Sequence, residues 1–323
     1  HPRVDMPTHY FSIVYRVIIS VFALLVVSLL LFLLMRDPEQ VSVISQVVLG
    51  DGASPADYLE WEKARGLHDP VLVQYWDWFT DLLRWNLGES YITGIALEET
   101  IGETFPVTFE LVSLSLGLAL VIGLPLGVLS ALNHGRWIDH LTRVVSVLGV
   151  AVPIFWTGLL LILFFAVKLS WFPPGGFIPL SAGLIPHLSS VALPVFVMGF
   201  YYVAILSRLT RSSMLDELSK DYVRTAHAMG LSRPLVWLYA LKNALAPVVN
   251  VTAMSFGFCF AHALFIEEIF AIPGLSRALL NAIFARDFPV MTLAVLVIGV
   301  VFIIANLAAD LLNQALNPKL ESN

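Results

Sequence analysis

Few side chains in this 323-residue chain are spaced for bond chemistry. There is no G-x-x-x-x-G-K-[ST] loop whose backbone N–H groups could cradle ATP, no H-E-x-x-H and no G-x-S-x-G. No catalytic residue is therefore assigned. His227 and His262 each stand apart from other ligand types, and a metal site needs several ligands, so no metal site is assigned either. The single Cys259 cannot form an internal disulfide and reads as a small apolar residue. Glu110 is an acid about one turn inside an apolar run, where it faces a cavity or partner or else reaches water. Asn306 and Asp310 share one face near the end of the last apolar run. They could line a path, join a neighbouring subunit or be solvated. Residues 220–247, KDYVRTAHAMGLSRPLVWLYALKNALAP, form an ordered loop rich in Lys and Arg between two apolar runs, which looks like a docking surface rather than a mere connection.

The elements that must carry these residues are membrane spans. The composition is 58% hydrophobic and only 13% charged, against about 25% charged in soluble domains. Uncharged runs recur at 17–35, 111–133, 144–167, 188–207, 244–266 and 290–309. Each is near the roughly 20 residues that cross about 30 Å of hydrocarbon. Barrel strands would instead alternate over about 10 residues. The expected class is an all-α integral membrane protein with six transmembrane helices.

Orientation follows the Lys and Arg of the short loops. With both termini cytoplasmic, the inner side holds Arg3, Arg16, Arg136, Arg143, Arg208, Arg211, Lys220, Arg224, Arg233, Lys242 and Lys319. The short outer loops hold Lys168, Arg277 and Arg286. The long segment 36–105 also falls outside, with 13 acidic and 4 basic residues, but so long a loop weighs little in this rule. The net charge of −6 resides mostly there and gives no reason to expect a nucleic-acid partner. Run 17–35 is too long for a signal-peptide core, and Arg36-Asp37-Pro38 follows it instead of a cleavage site. The chain begins with His1 rather than Met, so the expected translation start is Met6 or a position upstream.

Segment 36–105 alone has soluble character. Gly50-Asp51-Gly52 and Ser54-Pro55-Ala56-Asp57 are turn signals, and residues 55–65 read as a helix opened by Ser54 and closed by Gly66. Residues 71–85 carry Tyr75, Trp76, Trp78, Phe79 and Trp85, as an interfacial helix or a contact surface for an extracytoplasmic partner would. Pro106 is expected to open the second span and Pro125 to kink it. Loop 133–142 is cytoplasmic. Loop 168–187, with Trp171-Phe172-Pro173-Pro174, is an outer turn at the interface. A short helix is expected over Leu275–Ala285.

Loop 208–243 has its own logic. Ser219 is an acceptable N-cap, and Asp221 suits the first turn. Tyr222, Ala226 and Met229 form one apolar stripe. Gly230 supplies the left-handed stop, Ser232 caps the next helix, and Pro234 fits its first turn. The pattern predicts a short helix, a turn, and a helix rising into the fifth span. By pattern alone it is either a docking surface or a loop resting on lipid headgroups.

The block Asp221-Tyr222-Val223-Arg224-Thr225-Ala226-His227-Ala228-Met229-Gly230-Leu231-Ser232, with Lys242-Asn243-Ala244-Leu245-Ala246-Pro247, resembles the cytoplasmic coupling loop of ABC-importer permeases. It is closest to the B-type subunits of dipeptide, oligopeptide and nickel importers. The general motif opens Glu-Ala-Ala; Arg224-Thr225-Ala226 stands in its place. Gly66-Leu67-His68-Asp69-Pro70 with Gln74-Tyr75, Asn86-Leu87-Gly88-Glu89-Ser90, Phe105-Pro106-Val107-Thr108, Gly135-Arg136-Trp137-Ile138-Asp139 and Pro153-Ile154-Phe155-Trp156 are similar to further blocks of that family. So are Glu268-Ile269-Phe270-Ala271-Ile272-Pro273-Gly274-Leu275, Arg286-Asp287-Phe288-Pro289 and the closing Asn317-Pro318-Lys319. The likeness covers about 12–319, nearly the whole chain.

The resemblance implies a type I ABC-importer permease fold with an extracytoplasmic insertion after the first helix. Its divisions would be a tail and first helix at 1–35, the extracytoplasmic segment 36–105, a five-helix core at 106–315 carrying coupling loop 208–243, and a tail at 316–323. It implies half of a translocation pore in a bacterial or archaeal plasma membrane. The partners would be a C-type permease, two ATPase subunits, an extracytoplasmic solute-binding protein and lipid. ATP and Mg would sit on the ATPases, with no cofactor in this chain. Asp221, Tyr222, Arg224, Thr225, Ala226, Met229, Gly230, Leu231 and Ser232 would couple to an ATPase. Asn250, Met254, Ser255 and Glu268 are assigned to the substrate pathway only by their place in and just after the fifth span. The cargo expected is di- or oligopeptide, with nickel, glutathione or another small solute as the alternative. A secondary transporter is a remoter rival, since such folds show repeats and broken helices and no repeat stands out. A membrane-embedded hydrolase would need a nucleophile–base pair within spans.

Overall fold

The computed structural model describes residues 6–35, 38–50 and 52–316. Arg3, the side chain of Arg16, Arg36, Asp37, Asp51 and the closing Asn317-Pro318-Lys319, used above, lie outside the described residues. Helices follow one another as α1 (Met6–Met35), α2 (Pro38–Leu49), α3 (Pro55–Ala64), α4 (Val71–Leu83), α5 (Leu97–Leu132) and α6 (Trp137–Ala151). Then come α7 (Ile154–Leu161, continued by a π-helical turn over Ile162–Lys168), α8 (Leu184–Leu218), α9 (Asp221–Ala228), α10 (Arg233–Ile269), α11 (Leu275–Ala285) and α12 (Phe288–Leu316). Among the described residues the only β feature is an isolated bridge between Glu89 and Ala96.

Five of these helices, α1, α5, α8, α10 and α12, are long and apolar enough to cross a membrane. The expected third span over 144–167 is not one straight helix. It is the pair α6 and α7, bent by 99°. Pro153 has no N–H to continue α6 and holds Val152 in extended backbone, which is the break a proline imposes on the residue before it. Counting this pair as one gives six spans. The second span also differs from expectation. Helix α5 starts at Leu97, so Pro106 lies inside it, and the helix continues through Pro125.

Packing divides the chain into two units: residues up to Pro106 with Gly274–Ile303, and Val107–Pro273 with residues from Ile304 onward. In the first unit, Ser54 opens α3 through a capping box. Its N–H donates to Asp57 Oδ2 at 2.7 Å and its hydroxyl accepts from Asp57 N at 3.3 Å. The Ser54 N–H first, and then the Ser54 side chain beside it, hold the Asp57 carboxyl below its ordinary range. Helix α4 rests on α1 through Tyr75, whose hydroxyl lies 2.9 Å from Ser28 Oγ and whose ring meets Phe32 edge-on at 5.5 Å. Three blocks distant in sequence converge in this unit. Asp69, Gln74, Asn86, Gly88, Phe288 and Pro289 line one cavity, and buried Asp287 accepts from Ser90 Oγ and from Tyr91 N.

The second unit is held by close backbone approach. A Cβ on Gly127 of α5 would lie 2.6 Å from Ser207 O of α8, and one on Gly149 of α6 would lie 2.7 Å from Ala204 Cβ. Small residues at crossings are how apolar helices pack without help from the hydrophobic effect. Polar pairs add to this. Ser146 and Ser207 hydroxyls meet at 2.9 Å, and Thr108 Oγ1 donates to fully buried Glu267 at 2.5 Å. Glu110, read from sequence as facing a cavity, a partner or water, has a partner. Its Oε1 is 2.6 Å from Nε2 of buried His187. On the other side of the ring, His187 Nδ1 donates to Ile178 O at 2.7 Å, so the imidazole is held between α5 and the loop before α8.

Candidate functional site

Helix α9 is short and would not persist alone, since isolated helices of fewer than about 12 residues are marginal in water. Its neighbours fix it. Val223 is its buried residue, 4% exposed. Tyr222 Oη donates to Glu217 Oε2 on α8 at 2.9 Å and accepts from Asn243 Nδ2 on α10 at 3.3 Å. One phenol thus joins the helices before and after α9. Burial first, then the Glu217 contact, pushes the Tyr222 phenol above its ordinary value, against the opposing Asn243 donor. It therefore remains a hydroxyl donor at neutral pH. Lys220 Nζ also binds Glu217, Oε1 at 2.5 Å, and that contact raises its ammonium.

The C-terminus of α9 is closed by a paired motif. Gly230 N donates to His227 O at 3.0 Å, Leu231 N donates to Ala226 O at 3.1 Å, and Gly230 sits at φ +83°. This is the Schellman arrangement, which requires left-handed backbone at the glycine. Ser232 then occupies the N-cap position of α10 without a side-chain cap bond, and Pro234 lies in the first turn. The sequence reading misplaced the start: the N-cap of α9 is Lys220. Ser219 instead ends α8, and its hydroxyl turns back to Asp216 O at 2.8 Å.

The stripe Tyr222, Ala226 and Met229 is not one buried face: the Tyr222 hydroxyl turns inward, Ala226 is half-buried and the stripe opens outward at Met229. Tyr222 is partly exposed and Met229 is 75% exposed. Asp221 and Arg224 are exposed and make only a 3.4 Å pair with each other, and Thr225 caps back to Asp221 O at 3.0 Å. Leu231 is half-buried and Ser232 exposed. The nine assigned residues thus form one knob with an apolar tip and a charged flank. Val223, Glu217 and Asn243, which mount the knob, were not singled out from sequence. Only the alternation of Val223 with exposed neighbours could have signalled the first.

Of the pathway assignments, Asn250, Met254 and Glu268 fall on one exposed stripe of α10, shared with Phe258 and Phe265. Asn250 Oδ1 accepts from Asn313 Nδ2 of α12 at 2.5 Å. Ser255 is buried and lies off that stripe. Glu268 belongs to the last turn of α10 rather than to the segment after it. Cys259 is fully buried, and His262 Nδ1 meets Tyr202 Oη at 2.8 Å. Among the described residues, no three His, Cys, Asp or Glu side chains are grouped to hold a metal ion.

Comparison with known families decides what such a knob belongs to. Residues 123–322 match the model of the binding-protein-dependent transport system inner membrane component. The chain belongs to this family. It is a multi-pass permease subunit of an ABC transport system, not the subunit that carries the ATPase site. It is 34% identical over 309 residues to a putative peptide transport system permease protein of Brucella abortus, covering 94% of this chain and 96% of that one. It is 34% identical over 317 residues to the oligopeptide transport system permease protein AppB of Bacillus subtilis, covering 96% and 98%. It is 36% identical over 267 residues to the metal-staphylopine import system permease protein CntB of Staphylococcus aureus, covering 83% of each. Membership also removes the secondary-transporter rival, although the structure does contain the broken helix α6–α7 that such a fold would show.

Proposed function

We infer that this permease forms half of a translocation pathway for peptides and that α9 is the lever by which an ATPase subunit moves it. The observation that carries the reading is the mounted knob. An eight-residue helix is tied to α8 and α10 through Tyr222, yet presents Met229, Asp221 and Arg224 outward. Such a tip, apolar and flanked by charge, fits a cleft on a soluble partner better than a headgroup layer. Peptide cargo is supported by the names of the Brucella and Bacillus relatives, which share more of this chain's length than the metal-staphylopine permease does. Asn250, Met254 and Glu268 border the pathway.

The assembled importer contains a second, C-type permease, two ATPases carrying ATP and Mg, and an extracytoplasmic binding protein. The termini are cytoplasmic. Segment 36–105 and residues 271–289 lie outside and contribute to the binding-protein dock. The test is reconstitution of the complex with Arg224→Glu and Gly230→Val variants. Both are expected to insert normally and to lose ATPase co-purification and transport. Wild-type co-purification and transport in both would return the knob to a loop on lipid. Mass spectrometry of the ligand co-purified with the binding protein tests the cargo; a metal complex there would displace the peptide reading.

A further inference from the structure

The block Gly135-Arg136-Trp137-Ile138-Asp139 is not used by the pathway or by the lever, yet it holds a buried carboxylate that accepts four hydrogen bonds. Asp139 is completely buried. Its Oδ1 accepts from Ser130 Oγ at 2.7 Å and from Arg211 Nε at 2.6 Å. Its Oδ2 accepts from Gly135 N at 3.0 Å and from Arg211 Nη2 at 3.0 Å. Gly135, at φ +75°, turns the α5–α6 connection so that its N–H faces inward. Arg143 Nη2 at 3.8 Å and His134 Nδ1 at 3.4 Å complete the surround.

Every strong contact of this carboxylate is a donor, and the Arg211 fork is bidentate, the geometry that fixes orientation as well as distance. Three elements are thereby joined: the end of α5, the start of α6, and α8 at Arg211. From Arg211 the helix runs seven residues to Leu218, about 10 Å, and α9 begins three residues later. The other flank of this stretch is apolar, where Ala131 of α5, Met214 of α8, and Ala240 and Ala244 of α10 form one buried cluster with Trp237 and Leu218.

We propose that Asp139 is a positioning residue for energy coupling: it clamps α8 to the α5–α6 turn, so that displacement of α9 moves α5 and α6 instead of being absorbed in a flexible connection. The clamp rests on the assignment of α9 as the ATPase contact. An asparagine at 139 is nearly the same shape, but its NH₂ group would face donors on one side. It loosens the joint without opening a hole. Arg211→Lys keeps the charge and loses the fork.

The experiment uses the assembled complex, with this chain, its partner permease, both ATPases and the binding protein in lipid nanodiscs. Three quantities are read: subunit co-purification, basal ATPase activity, and stimulation of that activity by the binding protein. Asp139→Asn and Arg211→Lys are expected to keep the first two. Each should lower the stimulation by at least about fivefold, the low end of coupling between sites. Unchanged stimulation in both variants overturns the clamp. If Asp139→Asn does not assemble, Arg211→Lys decides. If neither assembles, the contact serves folding alone and the proposal falls. Arg224→Glu and Gly230→Val, run in parallel, separate this from failure of the lever itself, because unchanged co-purification in those two overturns the α9 assignment whatever Asp139 does.

Discussion

Replacing Gly230 isolates backbone conformation from packing, because a Cβ added there would meet nothing within 4 Å. At φ +83° an L-residue is disfavoured by about 1–2 kcal/mol. Asn tolerates the left-handed region best, Ala less well, and β-branched Val worst. The expected order of effect is therefore Gly230→Asn, then Ala, then Val. The strain competes with two hydrogen bonds, Gly230 N to His227 O and Leu231 N to Ala226 O, so relaxation unravels the last turn that carries Met229. An energy of 1–2 kcal/mol shifts an equilibrium about 5- to 30-fold. The apparent Kd of the ATPase subunit for nanodisc-embedded permease should rise by roughly that factor in Gly230→Val and by severalfold less in Gly230→Asn. Titrating labelled ATPase against the four proteins gives the measurement. Equal affinity for all four refutes a structural role for the glycine. An equal loss in all three variants refutes the backbone argument, since it would mean that the ATPase itself needs the space a Cβ fills.

Three further outcomes are expected. The purified chain, free of other subunits, should show no ATPase activity above background; turnover that follows the chain through every column would contradict its role as a permease. In a Cys259→Ala background, Glu60→Cys and Asn281→Cys should react with an impermeant thiol reagent in intact cells, whereas labelling only after lysis reverses the proposed topology. Glu60 is exposed and lies outside the Ser54–Asp57 capping box, so the cysteine there leaves the start of α3 intact. Gly127→Ala should lower thermal stability in detergent by about 1–3 kcal/mol, the usual range for overpacking, because its Cβ would lie 2.6 Å from both Ser207 O and Thr210 Cβ. Gly117→Ala, where a Cβ meets nothing within 4 Å, is its control; equal effects at the two sites would show that α5 and α8 do not approach as described.

What the sequence by itself determined is what short-range hydrogen bonding and apolar run length decide. Ser54 and Asp57 sit three residues apart, so their capping box is visible in the chain. Gly230 closes α9 with bonds spanning three and five residues, and the bounds of α11 match Leu275–Ala285 because Gly274 and Arg286 flank one amphipathic turn-to-turn pattern. The bend at Val152-Pro153 was also legible in principle, but an uninterrupted apolar run over 144–167 outweighed one proline. The start of α5 at Leu97 was hidden for the opposite reason. Its first turns carry Glu98, Glu99 and Glu103, so the helix extends beyond its apolar portion.

Tertiary structure alone decided which faces meet. Asp139 and Arg211 are 72 positions apart, Glu110 of α5 meets His187 of α8 with α6 and α7 between them in the chain, and Asp287 meets Ser90 from 197 positions away. In a membrane chain, lipid is as apolar as a neighbouring helix, so hydrophobic periodicity cannot tell a face that packs from one that touches acyl chains. Ser255 could be removed from the exposed stripe of α10, and Tyr222 seen to bridge α8 to α10, only once α10 was packed on α8, with Ala240 and Ala244 against Met214.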